Sequence, residues 1–210
     1  MMLFVVPIVE GATEVVCIKR LLSRIWTELL GVDRTHPLAG LPAIEVNRSS
    51  LVKADHPEME EAIDRAIVDL QKKTRYLPSA QTLILILADA DEDCPARLGP
   101  ELLERARAIR PDADIACVVP KRELENWFKA AAASLAGVQG LPADLKAVPD
   151  PEVGSGDTWL TQQMRRTSRF LRYTKPADAL EFVERMDLQE ARVNSPSFDK
   201  LCRELEGCAF

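Results

Sequence analysis

Histidine, paired cysteines and long apolar runs are scarce or absent in this sequence of 210 residues. The two histidines, His36 and His56, each precede a proline in loop-like sequence, which disfavours a histidine-base nuclease or a Ser-His-Asp triad. The five cysteines include no C-x-x-C pair, so they indicate reduced thiols in a cytoplasmic protein, with neither a disulfide framework nor a zinc site. No apolar run approaches the roughly 20 residues that span a bilayer, and the run at 3–9 lacks the flanks of a signal peptide. We therefore expect no membrane partner.

Two phosphate- and calcium-binding loops are missing as well. The sequence has no G-x-x-x-x-G-K-[ST] and therefore no P-loop of its own. An EF-hand that began at Asp89 would need glycine where Cys94 stands and a bidentate glutamate where Pro100 stands. Lysine and arginine number 27 against 33 acidic residues, a net charge of −6. This balance disfavours a generally basic nucleic-acid binder but allows a local basic face or an acidic pocket masked by metal.

The sequence alternates between strand-like and helix-like segments four times and then contains helix-like segments only. Strands are predicted at 3–9, 43–46, 82–88 and 114–119, where Pro7 indicates a sheet edge or an irregularity. This order predicts an α/β fold: a Rossmann-like parallel four-stranded sheet flanked by helices. We expect an α/β domain at 1–136, a linker rich in glycine, proline and aspartate at 137–157, and a helical extension at 158–210 that packs on the domain. The predicted helices lie at 12–30, 57–73, 100–109, 122–135, 158–172, 176–186 and 197–206.

Three carboxylates leave the apolar strand at 82–88 in the segment Asp89-Ala90-Asp91-Glu92-Asp93. An apolar run of this kind is typical of a buried parallel strand, and ligands of open α/β sheets bind beyond the carboxyl ends of the strands. Carboxylates this close repel one another and need a cation, protons or full solvation. A divalent ion held by carboxylate oxygens meets that need, whereas the alternative is a solvated acidic loop.

A second acidic segment follows the first strand. Because parallel strands end at the same sheet edge, Glu10 is expected to converge with Asp89 and Asp91. Gly11 permits a tight turn that brings backbone close to a ligand. Glu14, one helical turn after Glu10, either faces the same pocket or stabilises the helix as a first-turn acid.

Both acidic segments resemble the signature of the Toprim domain, a Glu-Gly after the first strand and an Asp-x-Asp after the third. They are V-E-G-A-T-E at 9–14 and A-D-A-D-E-D at 88–93. The segment V-P-K-R-E-L-E-N-W-F at 119–128 is similar to the R-E-x-E-x-W segment of small stand-alone Toprim-like proteins of unknown function, and 173–176 and 197–198 also resemble theirs. The resemblance therefore extends over nearly the whole chain and includes the nuclease half of the overcoming-lysogenization-defect (OLD) proteins.

The resemblance implies that Glu10 is a general acid/base and that the Asp89 and Asp91 pair binds Mg²⁺ or Mn²⁺. It further implies a metal-dependent nuclease for DNA or RNA, acting in prokaryotic defence under a separate ATPase. Two departures argue against a topoisomerase. The Asp-x-Asp is followed by Glu92-Asp93-Cys94, without the glycine that is common there in topoisomerases, and the sequence contains no tyrosine-bearing breakage domain. Two alternatives remain, a non-catalytic Toprim-like binding module and, less well fitted, a phosphoacceptor receiver. The candidate metal ligands are Glu10, Glu14, Asp89, Asp91, Asp93, Glu123 and Glu125.

The directions of the two glutamates in the R-E-x-E-x-W segment depend on where the helix begins. Glu123 and Glu125 would point about 200° apart on a regular helix, so we expect one to face the site unless the helix begins after them. Glu123 is favoured because it lies nearer the strand end. Lys121 is a candidate catalytic residue that stabilises the transition state, and Lys175 shares that candidacy; for each the alternative is a solvated lysine.

A candidate nucleic-acid surface lies in the predicted helix at 158–172. Arg165, Arg169 and Arg172 fall at i, i+4 and i+7, on one helical face, with Lys175 nearby and Phe170 and Tyr173 interleaved. Such a grouping in an acidic protein suits contacts to phosphates. The alternative is a solvated charged face that pairs with Glu181 and Glu184.

Overall fold

The computed structural model describes residues 1–53 and 56–209, and it is an α/β protein built on a parallel sheet. Residue 210, the last of the predicted helical extension, lies outside this range. The described residues form five strands, one more than the four predicted, in the order β2-β1-β4-β5, with β3 also beside β1. All pairings are parallel. The strands are β1 Leu3–Val9, β2 Leu38–Gly40, β3 Ile44–Glu45, β4 Gln81–Leu87 and β5 Ile115–Val118.

The extra strand arises because two prolines interrupt one edge of the sheet. β2 pairs with Leu3, Phe4 and Val5 of β1, and β3 pairs with its last two residues. Pro42 lies between β2 and β3 and has no N–H to donate to a ladder. Pro7, in the interior strand β1, lies opposite this interruption. On either side of it, the carbonyl oxygens of Val5 and Val9 accept hydrogen bonds from residues 41 and 46, which flank the gap between β2 and β3. The irregularity that Pro7 indicated is therefore a split neighbouring strand.

Helices cover both faces of the sheet. Their bounds are α1 Ala12–Arg24 with a π-helical turn at Ile25–Leu29, α2 Arg48–Val52, α3 Glu58–Thr74, α4 Pro95–Ile109, α5 Glu125–Ala130, α6 Gly156–Thr167, α7 Ala177–Arg185, α8 Leu188–Asn194 and α9 Pro196–Ala209, with 3₁₀ turns at Ala132–Leu135 and Val138–Gly140. None of the helices in the described ranges has the length and apolar character needed to span a bilayer.

Two predicted helices are shorter than expected. The one predicted at 122–135 begins only at Glu125 and gives way to a 3₁₀ turn, because Ala131 leaves the helical region at φ −106° and ψ 25°. The one predicted at 158–172 ends at Thr167, because Ser168 is extended at φ −153° and ψ 133°. The late start of α5 coincides with Glu125, which forms part of the site described below.

The sheet separates two apolar cores. On one face, α3 and α4 pack on alternate residues of β1 and β4 such as Val6 and Ile86. On the other face, α1, α5 and the four C-terminal helices cover the opposite strand residues, and they contribute Trp127, Phe182 and Phe198 to this core. Burial of such a side chain stabilises the fold by about 1.5–3 kcal/mol. The C-terminal helices therefore share a core with the sheet, and the segment at 137–157 contributes Leu141 and Leu145 to it.

A close backbone contact fixes α6 against the start of α5. A Cβ atom at Gly156 would lie 2.4 Å from the carbonyl carbon of Glu125 and 2.6 Å from the nitrogen of Asn126. The Gly156 N–H donates to Asn126 Oδ1 at 2.9 Å, and the Asn126 amide in turn donates to the carbonyl oxygen of Pro151 at 2.9 Å. Only glycine permits this approach.

We expect Gly156→Ala to lower the free energy of unfolding by about 3 kcal/mol, the upper range for overpacking, because the backbone of α5 has no room to retreat. Urea denaturation measures the change. Gly207→Ala in α9 is the matched control, because a Cβ there meets nothing within 4 Å; it should stabilise slightly, by about 0.5–1 kcal/mol. Equal unfolding midpoints for the two variants would contradict the close contact.

Candidate functional site

The predicted convergence of acidic residues occurs where three neighbouring strands end. Val9, Leu87 and Val118 are in register across β1, β4 and β5. Glu10 follows β1 directly, and its Oε2 accepts a hydrogen bond of 2.9 Å from the backbone N–H of Asp89. The structure thus joins the loops after β1 and β4 through a carboxylate and a backbone amide.

Arg48, at the start of α2, organises the acidic loop after β4. Its guanidinium donates to the carbonyl oxygens of Asp89 at 2.9 Å and of Ala90 at 3.1 Å. It also lies 3.2 Å from Asp91 Oδ2 and forms an ion pair with Asp93. Asp91, with φ at 49°, and Asp93 therefore have a protein cation as their partner. Sequence patterns gave no signal for Arg48, because α2 is distant from this loop in the sequence.

Glu123 and Glu125 both contact Lys175, which corresponds to the exception that the sequence left open, a helix that does not yet exist at Glu123. The reason is that α5 begins at Glu125, and the helical spacing of 100° per residue does not apply across Glu123 and Leu124. Each carboxylate lies 3.0 Å from Lys175 Nζ. Glu125 is 1% exposed, and its Oε2 is buried without a hydrogen-bond partner among the described residues.

Lys175, a candidate for phosphate contact and for transition-state stabilisation, lies among these carboxylates. Its ammonium is also 3.6 Å from Asp157 Oδ2. Tyr173, two residues before Lys175, is buried, and its hydroxyl donates a hydrogen bond of 3.1 Å to Glu125 Oε1. The Ser155 hydroxyl donates to Glu123 Oε1 at 2.6 Å. Asp157 and Ser155 were missed because they lie in the segment interpreted as a linker.

Glu14 is buried beside Glu10 and Glu125, and it also lies in the first turn of α1, so the structure is compatible with both interpretations of this residue. It is 6% exposed. A Cβ at Gly11 would come within 3.2 Å of Glu14 Oε2, so the glycine leaves room for this carboxylate. Burial, followed by repulsion from Glu125 and Glu10, raises the pKa of Glu14 from 4.5 to about 7.

The other carboxylates of the pocket divide into two groups. Burial raises the pKa of Glu10 and of Glu125, and it raises the pKa of Asp89 well above its usual range, with Glu14 as the next cause. Glu123 differs: burial opposes ionisation, but hydrogen bonds from Ser155, Asp157 N–H and Lys175 outweigh it and lower the pKa. The cluster therefore carries more negative potential than Lys175 neutralises, and it retains protons near neutral pH.

This donor set fits a hard divalent cation in its chemistry. Carboxylate oxygens are the ligands that Mg²⁺ and Mn²⁺ prefer, and the unpartnered Glu125 Oε2 is such an oxygen. The side chains are not arranged as a preformed cage: within residues 1–53 and 56–209, no three His, Cys, Asp or Glu residues have the geometry of an ion site. The Lys175 ammonium lies among the carboxylates in the present arrangement.

The remaining predicted residues lie outside this cluster. Lys121 Nζ donates to the carbonyl oxygen of Asp93 at 3.1 Å, on the outer side of the acidic loop. Arg165, Arg169 and Arg172 do not share a helical face, because α6 ends at Thr167. All three are exposed, and the Arg169 guanidinium lies 4.6 Å from the centroid of the Phe170 ring.

The alternative partners proposed for these arginines are engaged elsewhere. Glu181 pairs with Arg185 at 2.8 Å, and Glu184 pairs with Arg20 at 2.7 Å. Arg165, Arg169 and Arg172 therefore do not form ion pairs with Glu181 or Glu184 of α7.

Fold and site define an α/β protein with a carboxylate cluster at the ends of parallel strands. Over residues 9–206 the sequence matches a family described as a domain of unknown function, DUF4276, and the chain belongs to that family. Neither the curated proteins nor the solved structures gave a match to this chain.

The raised pKa of Glu14 predicts a pH-dependent stability in the absence of divalent ions. Because this pKa is about 7 in the folded protein and near 4.5 when unfolded, the folded protein binds the extra proton between these values. Raising the pH through that window should therefore lower the free energy of unfolding, by up to about 3 kcal/mol. Glu14→Gln should remove this loss, so it should be the more stable protein at pH 8 and nearly equal to wild type at pH 5.

Urea titrations in EDTA at pH 5, 6, 7 and 8 measure the effect. Glu60→Gln, an exposed position on α3, is the control and should follow the wild-type pH profile. Parallel profiles for wild type and Glu14→Gln would show that Glu14 ionises normally.

Proposed function

We propose that this DUF4276 protein is a Mg²⁺- or Mn²⁺-dependent phosphodiesterase of the Toprim type that hydrolyses DNA or RNA. The observation that carries the proposal is the cluster of half-buried and buried carboxylates at the ends of β1, β4 and β5. Carboxylates with raised pKa values in one pocket repel one another and lower the stability of the fold. Clusters of this kind are typical of functional sites. Glu10-Gly11 and Asp89-Ala90-Asp91, the segments that resemble the Toprim signature, supply adjacent members of the cluster.

The residues have distinct roles in this proposal. Asp89, Glu14 and Glu125 would hold the ion, with Asp91, which pairs with Arg48, beside them. A bound divalent ion would supply Lewis acidity for a water molecule and for a phosphodiester oxygen. Glu10 uses one oxygen to accept the Asp89 N–H and keeps the other for a proton from water. Its raised pKa brings it closer to the working range of a general base.

Lys175 has a role with and without a bound ion. Its ammonium lies 3.0 Å from Glu123 and from Glu125 and offsets the repulsion between them. It would compete with a divalent ion for the same oxygens. Release of Lys175 from Glu125 would place a positive charge where phosphate oxygens arrive.

The biological setting rests on the resemblance to OLD-type nucleases. We propose that the protein is an effector of prokaryotic defence and that a separate ATPase partner controls it. The absence of a P-loop in the sequence is compatible with an ATPase on another chain.

A second candidate function is a non-catalytic binding module. Two protein cations already pair with the acidic residues: Lys175 with Glu123 and Glu125, and Arg48 with Asp91 and Asp93. A site so neutralised is compatible with a structural role for the cluster. Metal binding and cleavage together distinguish the two functions.

We expect Asp89→Asn and Glu10→Gln to reduce metal-dependent cleavage by at least about 100-fold, the lower limit for loss of a general acid or base. Asp91→Ala should reduce it as well. The fold should persist, because removal of one charge from a repelling cluster relieves strain in the metal-free protein. Mn²⁺ titration calorimetry and cleavage assays on single-stranded DNA, duplex DNA and RNA measure the effects.

Glu92→Gln is the matched control within the same loop, because Glu92 is 81% exposed and pairs with Arg122. It should retain binding and cleavage. If the wild-type protein binds Mn²⁺ but cleaves no substrate, and Asp89→Asn abolishes the binding, the binding module is favoured. Failure of the wild-type protein to bind Mn²⁺ would reject the metal-dependent function.

The exposed arginines after Met164 provide phosphate contacts in this proposal. A carboxylate pocket repels phosphate, so a nuclease with a net charge of −6 needs a separate basic contact. Arg165, Arg169 and Arg172 lie in the exposed segment that leads to Lys175, and Phe170, also exposed, offers a stacking surface.

Replacing Arg165, Arg169 and Arg172 together by alanine should flatten the salt dependence of nucleic-acid binding by a slope of about 2–3, because each phosphate contact contributes about 0.7–0.9. Fluorescence anisotropy across a salt series, with Asp89→Asn present to prevent cleavage, measures the slope. The control triple variant Arg65→Ala, Lys72→Ala and Lys73→Ala removes the same charge from the exposed face of α3. If the Arg165, Arg169 and Arg172 variant keeps the wild-type salt dependence of binding, these arginines are solvated residues that do not contact phosphate.

A further inference from the structure

A stretch at 158–177 concentrates positive charge in a protein whose net charge is −6. It contains four arginines, one lysine and no acidic residue. Arg166 pairs with Asp144 at 2.9 Å, whereas no ion pair joins the other three arginines to a carboxylate in the part of the chain that the structure describes. The arginines available to a ligand of opposite charge are therefore Arg165, Arg169 and Arg172.

This basic stretch leads away from the carboxylate pocket and then returns to it. α6 begins against the backbone of Glu125, and its 12 residues place its two ends about 18 Å apart. The chain then turns back along the helix, because the Tyr173 N–H donates to Thr161 Oγ1 at 3.2 Å. The Tyr173 hydroxyl reaches Glu125, and Lys175 follows among the carboxylates. The turn after α6 is thus connected to the pocket by both of its arms.

Phe170 lies in the middle of this turn. The Leu171 N–H donates to the Ser168 carbonyl oxygen at 3.0 Å, which places Arg169 and Phe170 between them. Leu171 packs against Gly140, where a Cβ atom would come within 2.8 Å of Leu171 Cδ1. Phe170 is nevertheless 79% exposed, and the Arg169 guanidinium lies over its ring at 4.6 Å from the centroid. The turn is therefore anchored by its neighbours and holds an aromatic ring in solvent.

The location of Phe170 matters more than its exposure. Tyr76 is 80% exposed, and the Arg75 guanidinium lies 5.2 Å from the centroid of its ring. That pair precedes β4, at the edge of the sheet opposite to the carboxylate pocket. Phe170 lies instead within the basic stretch, five residues before Lys175, and even a fully extended chain between them spans at most about 18 Å. A ligand in contact with Phe170 can therefore also reach the pocket.

We infer that the substrate is single-stranded nucleic acid and that one of its bases stacks on Phe170. This inference rests on the proposed function and names the substrate class of the same site. The faces of a base are free in a single strand, whereas neighbouring base pairs cover both faces inside a duplex. The three unpaired arginines contact phosphates near the stacked base, and the strand continues toward the carboxylate pocket.

Fluorescence anisotropy on the full-length protein tests the inference, with Asp89→Asn present in every variant to prevent cleavage. Phe170→Ala should bind a fluorescent single-stranded oligonucleotide about 5- to 100-fold more weakly than its parent, the effect of losing one stacked base. It should bind a blunt duplex of the same sequence as its parent does. Tyr76→Ala is the matched control and should bind both ligands like the parent.

Phe170→Trp provides a direct measure of stacking. It should keep the single-strand affinity, and the fluorescence that it adds should be quenched by the single strand and not by the duplex. If this quenching is absent, or if Phe170→Ala keeps the affinity of its parent for the single strand, the inference is overturned.

Cleavage by proteins that keep Asp89 separates this inference from the proposed function. If the wild-type protein cleaves duplexes as fast as single strands, the nuclease function stands and the inference fails. If single strands bind through Phe170 but no substrate is cleaved, the nuclease function fails and single-strand binding stands. If the protein binds vesicles of phosphatidylserine and phosphatidylcholine through Phe170 and binds no oligonucleotide, the turn contacts a membrane surface and the inference fails.

Discussion

The contact of the Lys175 ammonium with Glu123 and Glu125 is the interaction on which the rest of the site depends. Each carboxylate is within 3.0 Å of the same nitrogen, and Asp157 is within 3.6 Å. The ion pairs join the segment after α6 to the loop after β5, although 50 residues separate them in sequence. Removal of one partner would leave the other charges buried and unpaired, which costs more than the pair itself contributes. The C-terminal helices are consequently part of the site as well as part of the core.

One cation cannot satisfy this number of carboxylates, and the pocket divides the remaining charge unequally. Three hydrogen-bond donors lower the pKa of Glu123, whereas at Glu14 burial outweighs a single backbone hydrogen bond and raises the pKa to about 7. Two neighbouring groups of the same chemistry thus have opposite pKa shifts, a division that suits acid and base roles. A stable fold alone does not require it, because apolar residues of similar volume would pack there at lower cost.

The sequence predicted the strand ends well, because buried strands have continuous apolar runs and their carboxyl ends share one edge. The meeting of Glu10 with Asp89 follows from that rule alone. Arg48, Asp157 and Tyr173 could not be placed in the same way, since their contacts depend on how loops and C-terminal helices pack. Glu123 and Glu125 show the limit most clearly: a two-residue spacing implies opposite directions only if the helix already exists at the first residue, and here it begins at the second.

The loop after β4 connects the carboxylate pocket with the open edge of the sheet. Lys121 borders a cavity beside β5 and donates to the carbonyl oxygen of Asp93, and the next residues bond to the loop through Ala90 N–H and Asp91 N–H. The β5–α5 connection therefore holds the backbone of Ala90 and Asp91, whereas Glu10 and Arg48 hold the backbone of Asp89. Six hydrogen bonds join the backbone of this loop to the rest of the protein. Its amides donate once to Glu10 and twice to the β5–α5 connection, and its carbonyl oxygens accept two bonds from Arg48 and one from Lys121. That number favours a rigid loop.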